Sequence, residues 1–290
     1  MAPLRSLRWS VAALALIGAR PVLANPITFT GFVANDFSAS NPSVLVTPVS
    51  SSPLTVGPAP YIVNAGQVSG WAVQDVRTSY DAATDTLYVG FNGFNNSKGV
   101  PAIFGDADGS GNPGVTSAQM AAAGGVNTAH MGGDKSFALA IAPSLASNPS
   151  LPGTPVVIAG IPADKSLAGP GTDGYTVSSY VNPTLGLSNS FGTNLAQFQG
   201  SLAFDPSAAH PQLEFTIKNF SKIPGIDPHQ GFWIEAYAGS LNDVVVGEMG
   251  LDFTKIAALS PQNIPEPATL IGWTLVAGAA ALRFRRPRVR

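Results

Sequence analysis

The residues best suited to chemistry lie together in Gly105-Asp106-Ala107-Asp108-Gly109-Ser110-Gly111-Asn112-Pro113-Gly114. Side-chain oxygens recur at every second position, at Asp106, Asp108, Ser110 and Asn112, with glycines between them that let the backbone turn. Such a run can fold its oxygens around a hard cation, and Ca2+ is the ion this donor set suits. Four residues do not complete a calcium shell, so further ligands are expected from elsewhere, with Asp81, Asp85 and Asp134 as candidates. The same residue types are common turn formers, and a turn that binds nothing is the plain alternative.

Compared with the EF-hand pattern, Asp106, Asp108 and Ser110 fall on the first, third and fifth ligand positions, Gly111 on the required glycine and Asn112 on the carbonyl donor. The twelfth position is Ser117, where a bidentate Glu is expected, and the flanking helices are missing, so the run is not an EF-hand. It is more similar to the short Asp-rich calcium loops of exported β proteins.

Other chemistries have weaker support. His130, His210 and His229 stand far apart in loop-like segments, and a zinc or catalytic use requires the fold to converge them. There is no cysteine, which removes thiol catalysis and Cys-based zinc sites. No Gly-x-Ser-x-Gly elbow, His-Glu-x-x-His, phosphate loop or dinucleotide fingerprint occurs. Glu214, Glu235 and Glu248 lie in or beside expected strands, so a secreted glycan-active hydrolase built on two converging carboxyls is one alternative. Solvent-facing strand positions are the other reading of these glutamates. Trp71, Tyr88, Trp233 and Tyr237 would form a sugar-stacking platform if exposed and core if not. With the Asp loop, such a platform would make a calcium-dependent carbohydrate-binding or adhesion module.

The elements that must position these residues read as strands. Glu numbers four against thirteen Asp, and Gly and Pro number 31 and 25, a balance that favours turns over helix interiors. Trp71–Ser79, an Asp81–Asp85 turn and Thr86–Phe91 read as a hairpin with Leu87, Val89 and Phe91 on one face. Ile27–Phe32 is expected to open the body as a strand, and Val44–Val46 and Leu54–Val56 to be edge strands. Further strands are expected at Phe137–Ile141, Pro155–Ala159, Tyr175–Val181, Phe198–Phe204, Leu213–Ile217, Phe232–Tyr237 and Val244–Phe253. Pro143–Pro152 and Pro162–Thr172 read as loops, and Ser117–Ala123 as a short helix. The pattern predicts an all-β fold, an antiparallel β-sandwich over residues 25–260, with a barrel-like body or two small sandwiches as alternatives.

The two ends read as addresses. Arg5 and Arg8, the apolar run Val11–Gly18 and Val22-Leu23-Ala24 form a secretory signal helix over residues 1–24, cut by signal peptidase between Ala24 and Asn25. Residues 261–290 carry Pro265-Glu266-Pro267, a fifteen-residue apolar run Ala268–Leu282, and Arg283, Arg285, Arg286, Arg288 and Arg290. As a helix the run spans roughly 22 Å, short of the roughly 30 Å hydrocarbon core, so it would be a marginal transmembrane helix. The arginines stay cytoplasmic because carrying them across is costly. Pro267 pushes Glu266 towards extended geometry, which leaves the tripeptide as a strip that a protease can reach.

This order resembles the PEP-CTERM sorting signal of exported bacterial proteins over about residues 264–290, starting at Ile264-Pro265-Glu266-Pro267-Ala268-Thr269. The resemblance implies cleavage near the tripeptide by an exosortase-type membrane protease, after transient anchoring in the inner membrane. It also implies release to the cell surface or exterior, and an association with extracellular polysaccharide. An ordinary tail anchor that is never cut is the alternative. Between Asn25 and Pro267 seven bases face all 17 acids, a net charge of −10, which argues against nucleic acid and anionic lipid as partners of the body. The expectation is an exported, surface-sorted, non-enzymatic β protein of the cell envelope or extracellular polymer matrix.

Overall fold

The computed structural model describes residues 27–50, 68–110, 131, 135–162, 174–181, 186–205, 209–240 and 249–257, all within one compact unit, Pro26–Pro261. The expected signal helix, the sorting segment, Leu54–Val56 and the Ser117–Ala123 helix lie outside the described residues.

The fold is all-β with antiparallel sheets. In chain order it runs α1 (Val33–Asp36), β1 (Val44–Pro48), β2 (Val73–Asp81), β3 (Thr86–Gly93), β4 (Lys135–Ala142), β5 (Ser144–Leu145), β6 (Asn148–Pro152) and β7 (Val157–Ile161). It continues with β8 (Thr176–Tyr180), β9 (Phe191–Asn194), β10 (Gln199–Asp205), β11 (His210–Lys218), β12 (Phe232–Ser240) and β13 (Met249–Ile256). One sheet, the front sheet, has the order β1-β2-β3-β11-β10, and the back sheet the order β13-β12-β4-β7-β8-β9.

Period-two alternation decides which side of each strand faces inwards. On the front sheet Val76, Tyr80, Leu87, Val89, Phe91, Leu213, Phe215 and Ile217 join one buried cluster with Phe137, Leu139, Ile141, Val157, Phe232 and Ile234 of the back sheet. The two sheets therefore share a single core. At its centre Phe137 lies 5.5 Å from Phe215 and 6.0 Å from Phe91, ring centroid to centroid, the latter edge-to-face. Tyr175, just before β8, donates its hydroxyl across the sandwich to the carbonyl of Thr216 in β11 at 2.8 Å. Burial pushes the Tyr175 hydroxyl well above its ordinary pKa, so it remains a donor.

The Trp71–Phe91 hairpin forms as β2 and β3, with Tyr80 opposite Leu87 and Asp81 opposite Thr86. Asp81 accepts from the Ala83 amide at 2.9 Å and the Thr84 hydroxyl at 2.7 Å, the local backbone capture expected of a turn aspartate. The other expected strands with described residues appear as β1, β4, β7, β8, β10, β11, β12 and β13.

Two segments differ from the sequence expectation. Pro143–Pro152 is not a plain loop: Ser144 pairs with Pro152 and Leu145 with Asn148 in a small hairpin. It carries little period-two apolar pattern because its strands are exposed rather than packed on the core. Ile27–Phe32 is not a strand. Gly31 adopts a left-handed φ of 81°, which ends any extended run, and a Cβ there would sit 2.3 Å from the His210 Cα. The segment lies instead on the outer face of the front sheet, where Ile27, Phe29, Val33 and Phe37 pack with Val44 and Tyr88.

Phe137→Ala is expected to destabilise the protein by about 3–5 kcal/mol through a lost ring and a residual cavity. Val46→Ala, at a position 40 % exposed on β1, should change stability by less than about 0.5 kcal/mol. Denaturant unfolding of both variants checks the contrast.

Candidate functional site

The Asp loop is stitched into the end of the sandwich where β2 begins and β3 ends. Gly70 donates its amide to the Asp106 carbonyl at 2.8 Å, Ile103 to that of Gly109 at 3.1 Å, and Phe104 to that of Pro211 at 2.7 Å. Gly109 is left-handed, at φ 65°, and a Cβ there would meet the Val68 carbonyl oxygen at 2.1 Å. Asp106 and Asp108 are buried, whereas Ser110 is exposed and donates its amide to Asp108 Oδ1 at 3.0 Å. Asn112 lies outside the described residues. The buried Lys135 donates its ammonium to the Gly105 carbonyl at 2.8 Å and lies 5.3 Å from the centre of the Trp71 ring. A cation supplied by the chain itself thus already rests against this loop.

Of the expected extra ligands, Asp81 and Asp85 are elsewhere and Asp134 lies outside the described residues. Asp81 and Asp85 flank the turn at the far end of the β2–β3 hairpin, and a strand the length of β2 spans about 26 Å at its usual rise per residue. Asp85 has its own partners: Tyr80 Oη at 2.8 Å and the amide and hydroxyl of Ser221, each at 2.8 Å. Burial raises the Asp85 pKa, but those hydrogen bonds outweigh it and hold the group below its ordinary value. Among the described residues no group of three or more His, Cys, Asp and Glu side chains is placed to hold a metal ion.

The other candidates do not converge. His210 opens β11 near the Asp loop, while His229 stands at the opposite end of the hairpin, edge-on to Tyr80 at 5.9 Å. Glu235 lies on the outer face of the back sheet, between Trp233 and Tyr237 on β12. Burial, and then the charge of Asp252, raise its pKa. Glu214 lies on the outer face of the front sheet, so the whole core separates the two carboxyls. His130 and Glu248 lie outside the described residues. The four aromatics form no common platform: Trp71 is core, Tyr88 packs edge-on to Phe29 over the front sheet, and Trp233 and Tyr237 belong to the back sheet.

A polar layer that the sequence did not single out lies on the outer face of the front sheet. Arg77 donates Nε to Asp75 Oδ1 at 2.7 Å and Nη1 to the Phe37 carbonyl at 2.7 Å. Asn92 donates to Asp75 at 2.8 Å. Gln212 Oε1 receives the Val33 amide at 2.8 Å, and the Gln212 backbone amide donates to the Gly31 carbonyl at 3.1 Å. Glu214 Oε2 receives the Gly31 amide at 2.7 Å. Strands β2, β3 and β11 supply these groups, and together they fasten residues 27–37 to the sheet. The only sequence signal for the layer is that Asp75, Arg77, Asn92, Gln212 and Glu214 occupy outward positions between apolar inward ones. Nothing local tells that a remote segment covers them.

Among the described residues no helix is long and apolar enough to cross a membrane. A scan against protein-family models found no match, and searches of curated proteins and of solved structures found no significant similarity.

Arg77→Met should destabilise the protein by about 3–5 kcal/mol, because it leaves Asp75 as a buried charge without its partner and frees the Phe37 carbonyl. Urea unfolding measures the cost. The loss should be accompanied by faster amide exchange in residues 27–37.

Proposed function

We propose that this chain is an exported β protein of the cell envelope or extracellular polymer matrix, without an enzymatic role, that is sorted through its C-terminal segment. The observation that carries this reading is the order Pro265-Glu266-Pro267, apolar run, arginine cluster. Arg5, Arg8 and the Val22-Leu23-Ala24 site support it from the other end, since a surface-sorted protein must first be exported. The body is consistent with a structural part. The buried Arg77 and Glu214 side chains tie a remote segment to the front sheet, and the two described glutamates lie on opposite faces. In this reading signal peptidase acts after Ala24, and an exosortase-type protease acts near Pro265–Pro267 while the apolar run holds the chain in the inner membrane.

The test is the intact mass of the protein recovered from its native cells. A mature chain beginning at Asn25 and lacking Arg283, Arg285 and Arg286 is expected. A chain that retains them is an ordinary membrane-anchored protein.

A second reading, calcium-dependent binding at the Asp loop, is favoured by two buried carboxylates, Asp106 and Asp108, two residues apart in a tight turn. Calorimetric titration with Ca2+ decides it. Heat on binding together with an EGTA-sensitive melting shift, both lost in Asp108→Asn, would establish the site. Absence of both in the wild-type protein removes it and leaves Lys135 as the cation at this loop.

A further inference from the structure

Glu214 is fully buried, and it is not paired with a cation. One of its oxygens, Oε2, receives the Gly31 amide, whereas Oε1 is buried with no donor. The neighbouring acid, Asp36 at the end of α1, stands within reach of the Glu214 carboxyl. Asp36 is itself supplied with donors: the Thr30 amide reaches it at 2.7 Å and the Thr30 hydroxyl at 2.8 Å. Two carboxylates cannot hydrogen-bond to each other unless one carries a proton. Asp36 already accepts from the Thr30 amide and hydroxyl, whereas Glu214 Oε1 is buried without a donor, so a proton shared by the pair is assigned to Oε1.

The charged and titratable groups around the pair do not offer an alternative. From β2, Arg77 is engaged with Asp75 and the Phe37 carbonyl. From β3, Tyr88 packs against Phe29. At the start of β11, the Nδ1 of His210 has no hydrogen-bond partner and so bonds to neither carboxyl. The nearest residues of the flanking strands are uncharged: Gly90 of β3 and Ala203 of β10 stand opposite Glu214.

We propose that residues 27–37 are a proton-held latch, closed over the front sheet while Glu214 donates a hydrogen bond to Asp36 and opened when that proton leaves to water. A bound cation is the competing occupant of two facing carboxyls. The Gly31 and Thr30 amides point at these oxygens, and donors of that kind suit acceptors shared with a proton rather than a metal shell. Opening would expose Ile27, Phe29, Val33 and Phe37 and the apolar strip of Val44 and Tyr88 beneath them.

Burial, and then the Asp36 hydrogen bond, push Glu214 up from 4.5 to about 9 in the closed form. The closed form therefore binds the proton more tightly than the open form. Latch stability is fully present below the ordinary carboxyl range and is lost as pH rises towards about 9.

The test is hydrogen exchange of the Gly31, Val33 and Phe37 amides in the whole protein, corrected for intrinsic rates. With one proton lost per opening, protection should fall about tenfold per pH unit between about pH 5 and about pH 9 and then level off. Glu214→Gln supplies a permanent donor to Asp36 and should hold the latch with no such slope. The infrared spectrum of the wild type at neutral pH should also show a protonated carboxylic-acid carbonyl band, a measurement that stands even if the variant does not fold. The proposal is overturned by a missing band, by the same slope in Glu214→Gln, or by latch protection that follows added Ca2+ or EDTA instead of pH.

Discussion

Phe137 touches both Phe91 and Phe215, and this contact makes the two sheets one body. The chain has no cysteine, so no disulfide can hold the sheets together. The work falls to apolar burial and ring geometry. Edge-to-face contacts place the positive edge of one ring against the negative face of the next, which favours one arrangement over other ways of filling the same volume. Because side chains alternate along a strand, a slip of one residue in β3, β4 or β11 would turn these rings outwards. The register of the two sheets is thus coupled to the core, and the Tyr175 hydroxyl on the Thr216 carbonyl adds a directional tie across it.

The outer faces solve the remaining burial problem differently. β4 is buried along its whole length, yet its outward residues Ala138 and Ala140 are small, and Leu187 packs over them with Ile158. That cover needs no polar matching. The front sheet presents Asp75, Arg77, Asn92, Gln212 and Glu214 outwards and buries them too. A covering segment there must bring acceptors for the guanidinium and donors for the amide and carboxyl. Residues 27–37 do so with their own backbone: the Phe37 carbonyl, the Val33 amide and the Gly31 amide. An apolar cover over the same side chains would leave several buried groups unpaired, at a cost of a few kcal/mol for each. The layer therefore selects this segment and its path more than it adds net stability.

What was legible in the sequence was what alternation controls. Leu87, Val89 and Phe91, and likewise Leu213, Phe215 and Ile217, show their inward side in any window of six residues, and the structure buries them on that side. Turn aspartates such as Asp81 were legible because their capture of the backbone is local. Ile27-Thr28-Phe29 alternates just as well and yet is no strand. Its fate depends on Gly31 lying against His210, a contact between residues remote in sequence. Glu214 looked like a solvent-facing strand position for the same reason: its burial comes from that remote segment, not from its neighbours in β11. The Asp loop was legible as a tight turn, but its approach by Lys135 from β4 was not.

The separation between the latch and its partners has a consequence for how the chain acquires its shape. Gly31 meets Glu214 across 183 residues, and Val33 meets Gln212 across 179. A ribosome releases the chain from its N-terminus, so Ile27, Phe29, Val33 and Phe37 are made first and have no seat until β11 exists and has paired with β3. Hairpins such as β2–β3 can close early, because their loop is short, whereas contacts this remote come late. The opening residues of the body are thereby its finishing piece. Their docking occurs only after nearly the entire domain has been synthesised, and a truncated product would leave those apolar side chains uncovered.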